Sequence, residues 1–390
     1  MEHCALTGNI LKIDLTSQKA ELASTGSYAD FSGGAPLAYR ILLQELPTDL
    51  KDAYDEKNVL VLAAGALTGS GLPASCSLAV AALSPISGTP ACAQLNSRLG
   101  PMLKQAGYDA IIFTGAASSP VWVNVNNNEV KMESAAFLWG AGTHDTIAQI
   151  CATAGRESAV LAIGPAGENG LDIASAVTLG GAAADGFGGV LGSKNLKAVA
   201  LRGSGAVGIA DPEAYQNLRK DIDRLIGVPG GSVVPAEPQS WSEFSSETSW
   251  WNARPGLCWE AAEAEVETGE CAPEDTARMG LRSLSVVRDF GKDAAKAVIR
   301  PVACPSCTSG CATMLHLPAL ERAGLSPYQL CGCEACATPG ALCPNLVNCP
   351  SPKRPRMPRK KPKPRPISLN TPTLKLPLPP PAWPRTSASG

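Results

Sequence analysis

The first 205 residues alternate short apolar runs with glycine, proline and serine, and the period of each run predicts its element. "NILKIDLTSQKAEL" (9–22) alternates on both sides of a polar break and predicts a strand, a turn and a strand. "VWVNVNNNEVKM" (121–132) alternates apolar and polar residues around an Asn-rich centre, the signal of a hairpin. "NVLVLAAG" (58–65), "DAIIFTG" (109–115) and "SAVLAIG" (158–164) are short continuous apolar runs bounded by breakers, and predict further strands. "APLAYRILLQEL" (35–46) and "THDTIAQICATA" (143–154) space their apolar residues as helices do. Regular β-α-β alternation is missing, so the expected class is α+β with mixed or antiparallel sheets, not a doubly wound parallel sheet.

The pattern changes at "ADPEAYQNLRKDIDRLIG" (210–227), which predicts a helix with Asp211 as N-cap and Pro212 as its first residue. Residues 228–275 are irregular and hold Trp241, Trp250, Trp251 and Trp259, read first as a core for a loop-rich segment and second as the lining of a cleft. Near residue 330 the composition breaks. After Glu334 there is no further acidic residue, and 13 prolines fall between Pro350 and Gly390. A segment like "KRPRMPRKKPKPRP" buries too little apolar surface to offset its ordering entropy, so disorder is expected. The organisation is therefore a β-rich domain over 1–210, a partial helical domain over 211–329 and a tail over 330–390.

Composition sharpens that division. The net charge of −2 conceals 23 basic against 34 acidic residues up to Gln329, and 10 basic against one acidic residue after it. The body reads as an acidic protein. The N-terminus lacks a basic region followed by an apolar core, and no stretch reaches the roughly 18 apolar residues of a membrane span, so a cytoplasmic protein is expected. The basic tail has the charge to meet nucleic acid or an anionic membrane, but an unselected tail is the preferred reading and no nucleic-acid partner is expected. Fourteen cysteines in such a chain suggest metal before disulfides where they cluster. Cys4, Cys76, Cys92, Cys151, Cys258 and Cys271 are scattered and read as small buried thiols.

Three stretches carry candidate chemistry. "GGAAADGFGGVLGSKNLKAVAL" (180–201) lets backbone approach a ligand closely, yet it fails both common phosphate templates, because Leu191 stands where a third glycine is needed and Ser193 precedes Lys194. On its chemistry it reads as a Gly-rich turn feeding a strand. Glu168, in the turn "IGPAGENG" (163–170), is a candidate site acid, with a solvated or capping role as the simpler reading. The strongest signal is "ACPSCTSGC" (303–311), which sets Cys304, Cys307 and Cys311 in the spacing C-x2-C-x3-C. Three thiolates so close suit an iron–sulfur cluster, with zinc as the competitor and His316 or one of Cys331, Cys333, Cys336, Cys343 and Cys349 as further ligand.

Taken together, "GNILKIDLTSQK", "FSGGAPLAYRILLQELP", "GALTGSGLPAS", "LKQAGYDAIIFTGAASSPVWVNV", "LWGAGTHDT", "AIGPAGENG", "GVLGSKNLKAVAL" and "CPSCTSGC" resemble, in that order, the aldehyde ferredoxin oxidoreductase family. The resemblance spans residues 5 to about 328. It implies a first domain of two sheets forming a base under a tungsten or molybdenum bis-pterin, an adjacent [4Fe–4S] cluster, and helical domains beyond. It also implies oxidation of an aldehyde or oxo group, with electrons leaving to a ferredoxin-like acceptor. Cys304, Cys307 and Cys311 match the family's first three cluster ligands. Gly186, Gly188, Gly192, Ser193, Lys194 and Asn195 match its pterin-side glycine loop and following signature. "VVPAEPQSWSEFSSETSWWNARPGLCW" is similar to a branch of the family whose substrate is open.

The departures are specific. Ser77 stands where the family usually brings an arginine; Gln94, Asn96 and Ser97 replace an Asn–Gly–Gly pattern; and the loop reads Ala183, Ala184, Asp185, Gly186, without its usual arginine. An aspartate beside pterin phosphates is unfavourable unless a cation such as Mg²⁺ intervenes. The family-like text stops after "LPALERAGLSPYQ" (317–329), which suggests a shifted reading frame there, a chain lacking the rest of the site and no activity by itself. The alternative is a non-catalytic iron–sulfur or zinc protein of electron transfer.

Overall fold

The computed structural model describes residues 5–28, 30–73, 75–179 and 181–226, together with the short pieces 298–302, 305–306, 312–316, 328–331 and 374–375. In chain order the first half runs β1 (Asn9–Asp14), β2 (Lys19–Ser24), α1 (Gly34–Glu45), β3 (Leu60–Ala64), β4 (Ser77–Leu83), β5 (Pro90–Asn96), α2 (Leu99–Gln105) and β6 (Ala110–Thr114). It continues through β7 (Val121–Asn126), β8 (Glu129–Ser134), α3 (Thr143–Ala154), β9 (Ala159–Ala162), α4 (Pro165–Glu168), β10 (Ala176–Thr178), β11 (Gly181–Ala183), α5 (Phe187–Ser193), β12 (Leu196–Arg202) and α6 (Pro212–Ile226). β13 (Val298–Val302), β14 (Ala312–His316), β15 (Tyr328–Cys331) and β16 (Leu374–Lys375) follow.

Two mixed sheets organise the first half. One has the order β2-β1-β6-β3-β4-β5, and the other β11-β10-β9-β12-β7-β8-β16. Each contains one parallel pair, β1 with β6 and β12 with β7, among antiparallel neighbours. Alternation along the strands divides their side chains between two cores. Leu60, Leu62 and Ala64 of β3 face the other sheet, where Leu161, Val199 and Leu201 meet them, while Val61 and Ala63 face α1 with Leu37, Ile41 and Leu42. On the second sheet Trp122, Val160, Ala198 and Ala200 turn outward to Ile147 and Ile150 of α3. The layers run helix, sheet, sheet, helix. Strands covered on both faces read as continuous apolar runs, which is why "NVLVLAAG" shows no polar alternation.

The expected strands at 9–24, 60–64, 110–114, 121–134 and 159–162 and the helices at 34–45 and 143–154 are present. Asp211 caps α6, with its Oδ1 accepting from the Ala214 N–H at 2.9 Å, and Pro212 opens the helix. The β4–β5 hairpin, α2 and α5 go beyond the sequence reading. α5 corrects it: the Gly-rich stretch is not a plain turn but a strand, a left-handed corner and a seven-residue helix.

By contact, residues 1–252, 303–310 and 373–390 form one compact unit, and 253–302 with 311–372 form another. In the second, β13, β14 and β15 make a three-stranded antiparallel sheet. The tryptophans at 241–259 and, apart from 330–331 and 374–375, the tail lie outside the described residues.

Candidate pterin-side site

Asp185 (φ 58°) and Gly186 (φ 75°) turn the chain through the left-handed region between β11 and α5. A side chain at Gly186 would meet Pro85 Cγ at 2.3 Å and Asp172 O at 2.4 Å. At Gly188 a methyl group would meet Ser175 O at 2.6 Å, and at Gly192 it would meet Gly167 O at 1.9 Å. Each glycine is fixed by a close backbone crossing, which a Cβ would block. Asn195 takes a left-handed φ of 54° and donates through Nδ2 to Ala117 O at 2.6 Å. Ser193 Oγ donates to Val190 O at 3.0 Å.

Lys194 is fully buried, and its Nζ donates to Glu56 O at 3.1 Å and Gly115 O at 2.9 Å. Loss of hydration pushes its pKa down to about 8 against the weaker pull of Glu56 and Asp55. The six residues matched to the pterin loop thus lie on α5 or within two residues of its ends, and each meets protein: three glycines at backbone crossings, three side chains on carbonyl oxygens.

Glu168 is neither solvated nor a cap. Its carboxylate pairs with Lys197 Nζ, with the two side chains 4% and 0% exposed, and accepts the Gly140 N–H at 2.8 Å. Lys197 also donates to Ala141 O at 2.9 Å and Ile163 O at 2.7 Å, which leaves its buried charge well partnered. A second buried pair joins Lys104 Nζ to Asp109 at 2.7 Å, and Asp109 accepts from the Thr7 and Gly8 N–H groups and from Thr25 Oγ1. A lysine set in an apolar run, as in "PMLKQAG" and "NLKAVAL", was the available signal for these pairs.

The positions that depart from the family pattern are strung along the β4–β5 pair. β4 and β5 pair with Ser77 opposite Asn96, and Ser77 Oγ donates to Gln94 Oε1 at 3.3 Å. β11 lies against β5: a methyl group on Gly181 would sit 3.5 Å from Leu95 Cδ2 and 3.9 Å from Asn96 N. Ser84 Oγ holds Asp185 O at 2.9 Å. Burial, aided by the Asp185 carboxylate, pushes the Cys92 thiol up to about 11, and burial followed by Cys92 and Asp185 raises the Tyr39 phenol. Hydroxyl and carboxamides therefore stand at the Ser77–Asn96 end of the β4–β5 pair, and thiol, phenol and carboxylate toward its Ser84 end.

Cys304, Cys307 and Cys311 lie outside the described residues; Pro305 and Ser306 between the first two are described. Among the described residues no group of three His, Cys, Asp or Glu side chains is placed to hold a metal ion. Cys76 is buried, as read, while Cys92 and Cys151 are half-buried. Among the described residues no helix is long and apolar enough to cross a membrane.

The profile "Aldehyde ferredoxin oxidoreductase, N-terminal domain" matches residues 10–203. Through these residues the chain belongs to the aldehyde ferredoxin oxidoreductase family. The family's two-sheet domain is the fold described above. The chain is 37% identical over 207 residues to the tungsten-containing aldehyde ferredoxin oxidoreductase of Pyrococcus furiosus, covering 52% of this chain and 34% of that protein. It is 29% identical over 330 residues to the enzyme of the same description from Pyrococcus abyssi, covering 83% and 51%. It is also 35% identical over 239 residues to an aliphatic sulfonate oxidoreductase, WOR-like subunit, of P. furiosus, covering 56% and 37%. Among solved structures, the active site complex BamBC of benzoyl coenzyme A reductase matches with a TM-score of 0.66 and 27% identity, over 85% of this chain and 49% of that one. The chain thus spans a third to a half of the relatives it matches.

Proposed function

We propose that this chain provides the pterin-facing base of a tungsten- or molybdenum-pterin oxidoreductase that oxidises the aldehyde or oxo group of a small donor and passes electrons to a ferredoxin-like protein. The observation carrying the reading is that the Gly181–Gly186 segment starts against β5, where Asn96 and Gln94 stand beside Ser77, and ends at Ser84 and Pro85, within a domain of this family. The donor set tests the fit. Ser77, Gln94 and Asn96 are neutral groups able to read a pterin's polar edge, and Asp185 is a hard oxygen donor that tolerates a diphosphate in company with a divalent cation such as Mg²⁺. Gly186, Gly188, Gly192, Ser193, Lys194 and Asn195 act beneath it, as the scaffold that fixes the corner. When bound, the metal–pterin supplies the two-electron chemistry; the protein's part is orientation and charge. Cys304, Cys307 and Cys311 are proposed as three ligands of a [4Fe–4S] cluster, the soft thiolate donor set such a cluster takes.

Metal analysis of the chain expressed without oxygen tests this. Tungsten or molybdenum, with iron and acid-labile sulfide in equal amounts, is expected. One zinc per chain and no visible absorption refutes the cluster reading and leaves a structural zinc site. Because the matches span a third to a half of the relatives, turnover is proposed for the assembled enzyme, and aldehyde-dependent viologen reduction by these 390 residues alone is expected to be negligible.

A further inference from the structure

The two edges of β8 are used unequally. Toward β7 it pairs along its whole length, from Glu129 opposite Asn126 to Ser134 opposite Val121. Its other edge meets β16, antiparallel, with Leu374 opposite Val130 and Lys375 opposite Glu129. Among the described residues nothing pairs with that edge from Lys131 to Ser134. An open strand edge is a template for any extended chain, and this one borders the core that holds Val130 and Met132.

The register of the contact is the one the residue types select. A leucine falls opposite fully buried Val130, and a lysine opposite Glu129, which is part-exposed and lies 3.7 Å from Lys131. A slip of one residue would set Lys375 opposite Val130 and Leu374 opposite Lys131, so the pattern favours a single pairing. Pro372 and Pro377 bracket the segment 373–376, and proline has no N–H to give a ladder, so the docked strand stays short.

We propose that the outer edge of β8 is a strand-docking surface whose occupant is the 373–376 segment of the same molecule, added as an antiparallel strand. The tail is then more than an unselected extension: it covers an edge through which a second copy of the chain could pair. This holds whatever the pterin loop or the cysteines bind.

Hydrogen–deuterium exchange of the full chain, read by mass spectrometry on a peptide covering 127–134, tests it. Leu374→Pro removes an N–H from the docked strand and is expected to speed exchange at the start of β8 about tenfold, with the α1 and β12 peptides unchanged. Lys375→Glu sets like charges opposite one another and is expected to speed it about threefold, and adding Glu129→Lys is expected to bring the rate back. Protection in the unaltered chain is expected to survive dilution, as a contact within one molecule requires. Equal rates in Leu374→Pro and the unaltered chain overturn the proposal. Protection lost on dilution overturns it too, and gives the edge to a second copy.

Discussion

Lys194 and Lys197 lie three residues apart at the start of β12, both fully buried, and their charges are met in different ways. Lys197 has a carboxylate, Glu168, and two carbonyl oxygens. Lys194 has carbonyl oxygens only, from Glu56 and Gly115. Lys197 ties α4 and the 140–141 turn to the second sheet, whereas Lys194 ties the 56 and 115 loops beneath the glycine corner. A buried cation with a carboxylate behaves as one partner of a unit that fails when halved. One solvated by carbonyl dipoles stays closer to its neutral form, and its charge becomes a matter of pH.

The strongest way to break the contrast is to halve the Lys197 unit. Glu168→Gln is expected to cost about 3–5 kcal/mol in denaturant unfolding, because it leaves Lys197 buried beside a neutral amide. The double variant with Lys197→Met is expected to recover most of that loss, since it removes both charges. Gly192→Ala is next. Its methyl group would stand 1.9 Å from Gly167 O, a backbone atom one residue from Glu168, so α5 must leave α4. A cost of about 3 kcal/mol, with the loss spread over both helices, is expected from thermal unfolding.

Lys194 gives a smaller and pH-dependent effect. Its folded pKa of about 8 lies below the ordinary lysine value of 10.5, so between those values the unfolded chain holds more protons. Stability is therefore expected to rise as pH increases through that window, by about 2 kcal/mol, and to be independent of this group below it. Lys194→Met is expected to flatten the rise, and urea midpoints at pH 7.5 and 10 would show it. Lys197, whose pKa is also lowered by burial, adds to the same slope and remains in that variant.

These residues also mark where sequence reasoning reached and where it stopped. Strands with a clear period, such as β1 with β2 and β7 with β8, were legible because each pairs with its neighbour along the chain. The β4–β5 hairpin was not: in "SLAVAAL" Ala79 and Ala81 are small because α1 packs on that face, and alanine has little strand preference of its own. α5 holds Gly188, Gly189 and Gly192 in seven residues, which opposes helix by about 1 kcal/mol each. The crossings at 167 and 174–175 outweigh that local preference, and nothing near the glycines announces them. The resemblance singled out the loop; that its six matched residues spend their contacts on protein required the partner backbones. Ser77, Gln94 and Asn96 stood out as departures, and only the strand pairing brought them together.

Asn195 offers the finest test, because two reasons for an asparagine coincide there. Its φ of 54° suits asparagine or glycine, and its Nδ2 reaches Ala117 O at 2.6 Å just as the chain enters β12. Asn195→Gly keeps the conformation at no steric cost and loses the hydrogen bond, so about 1 kcal/mol is expected from thermal unfolding. Asn195→Ala loses the bond and also forces a Cβ into the left-handed region, so about 1 kcal/mol more is expected. If alanine and glycine cost the same, conformation contributes nothing, and the corner between α5 and β12 is held by the side-chain bond alone. If glycine costs nothing, the bond is idle, and Lys194 is oriented toward Glu56 and Gly115 by the left-handed turn that follows it.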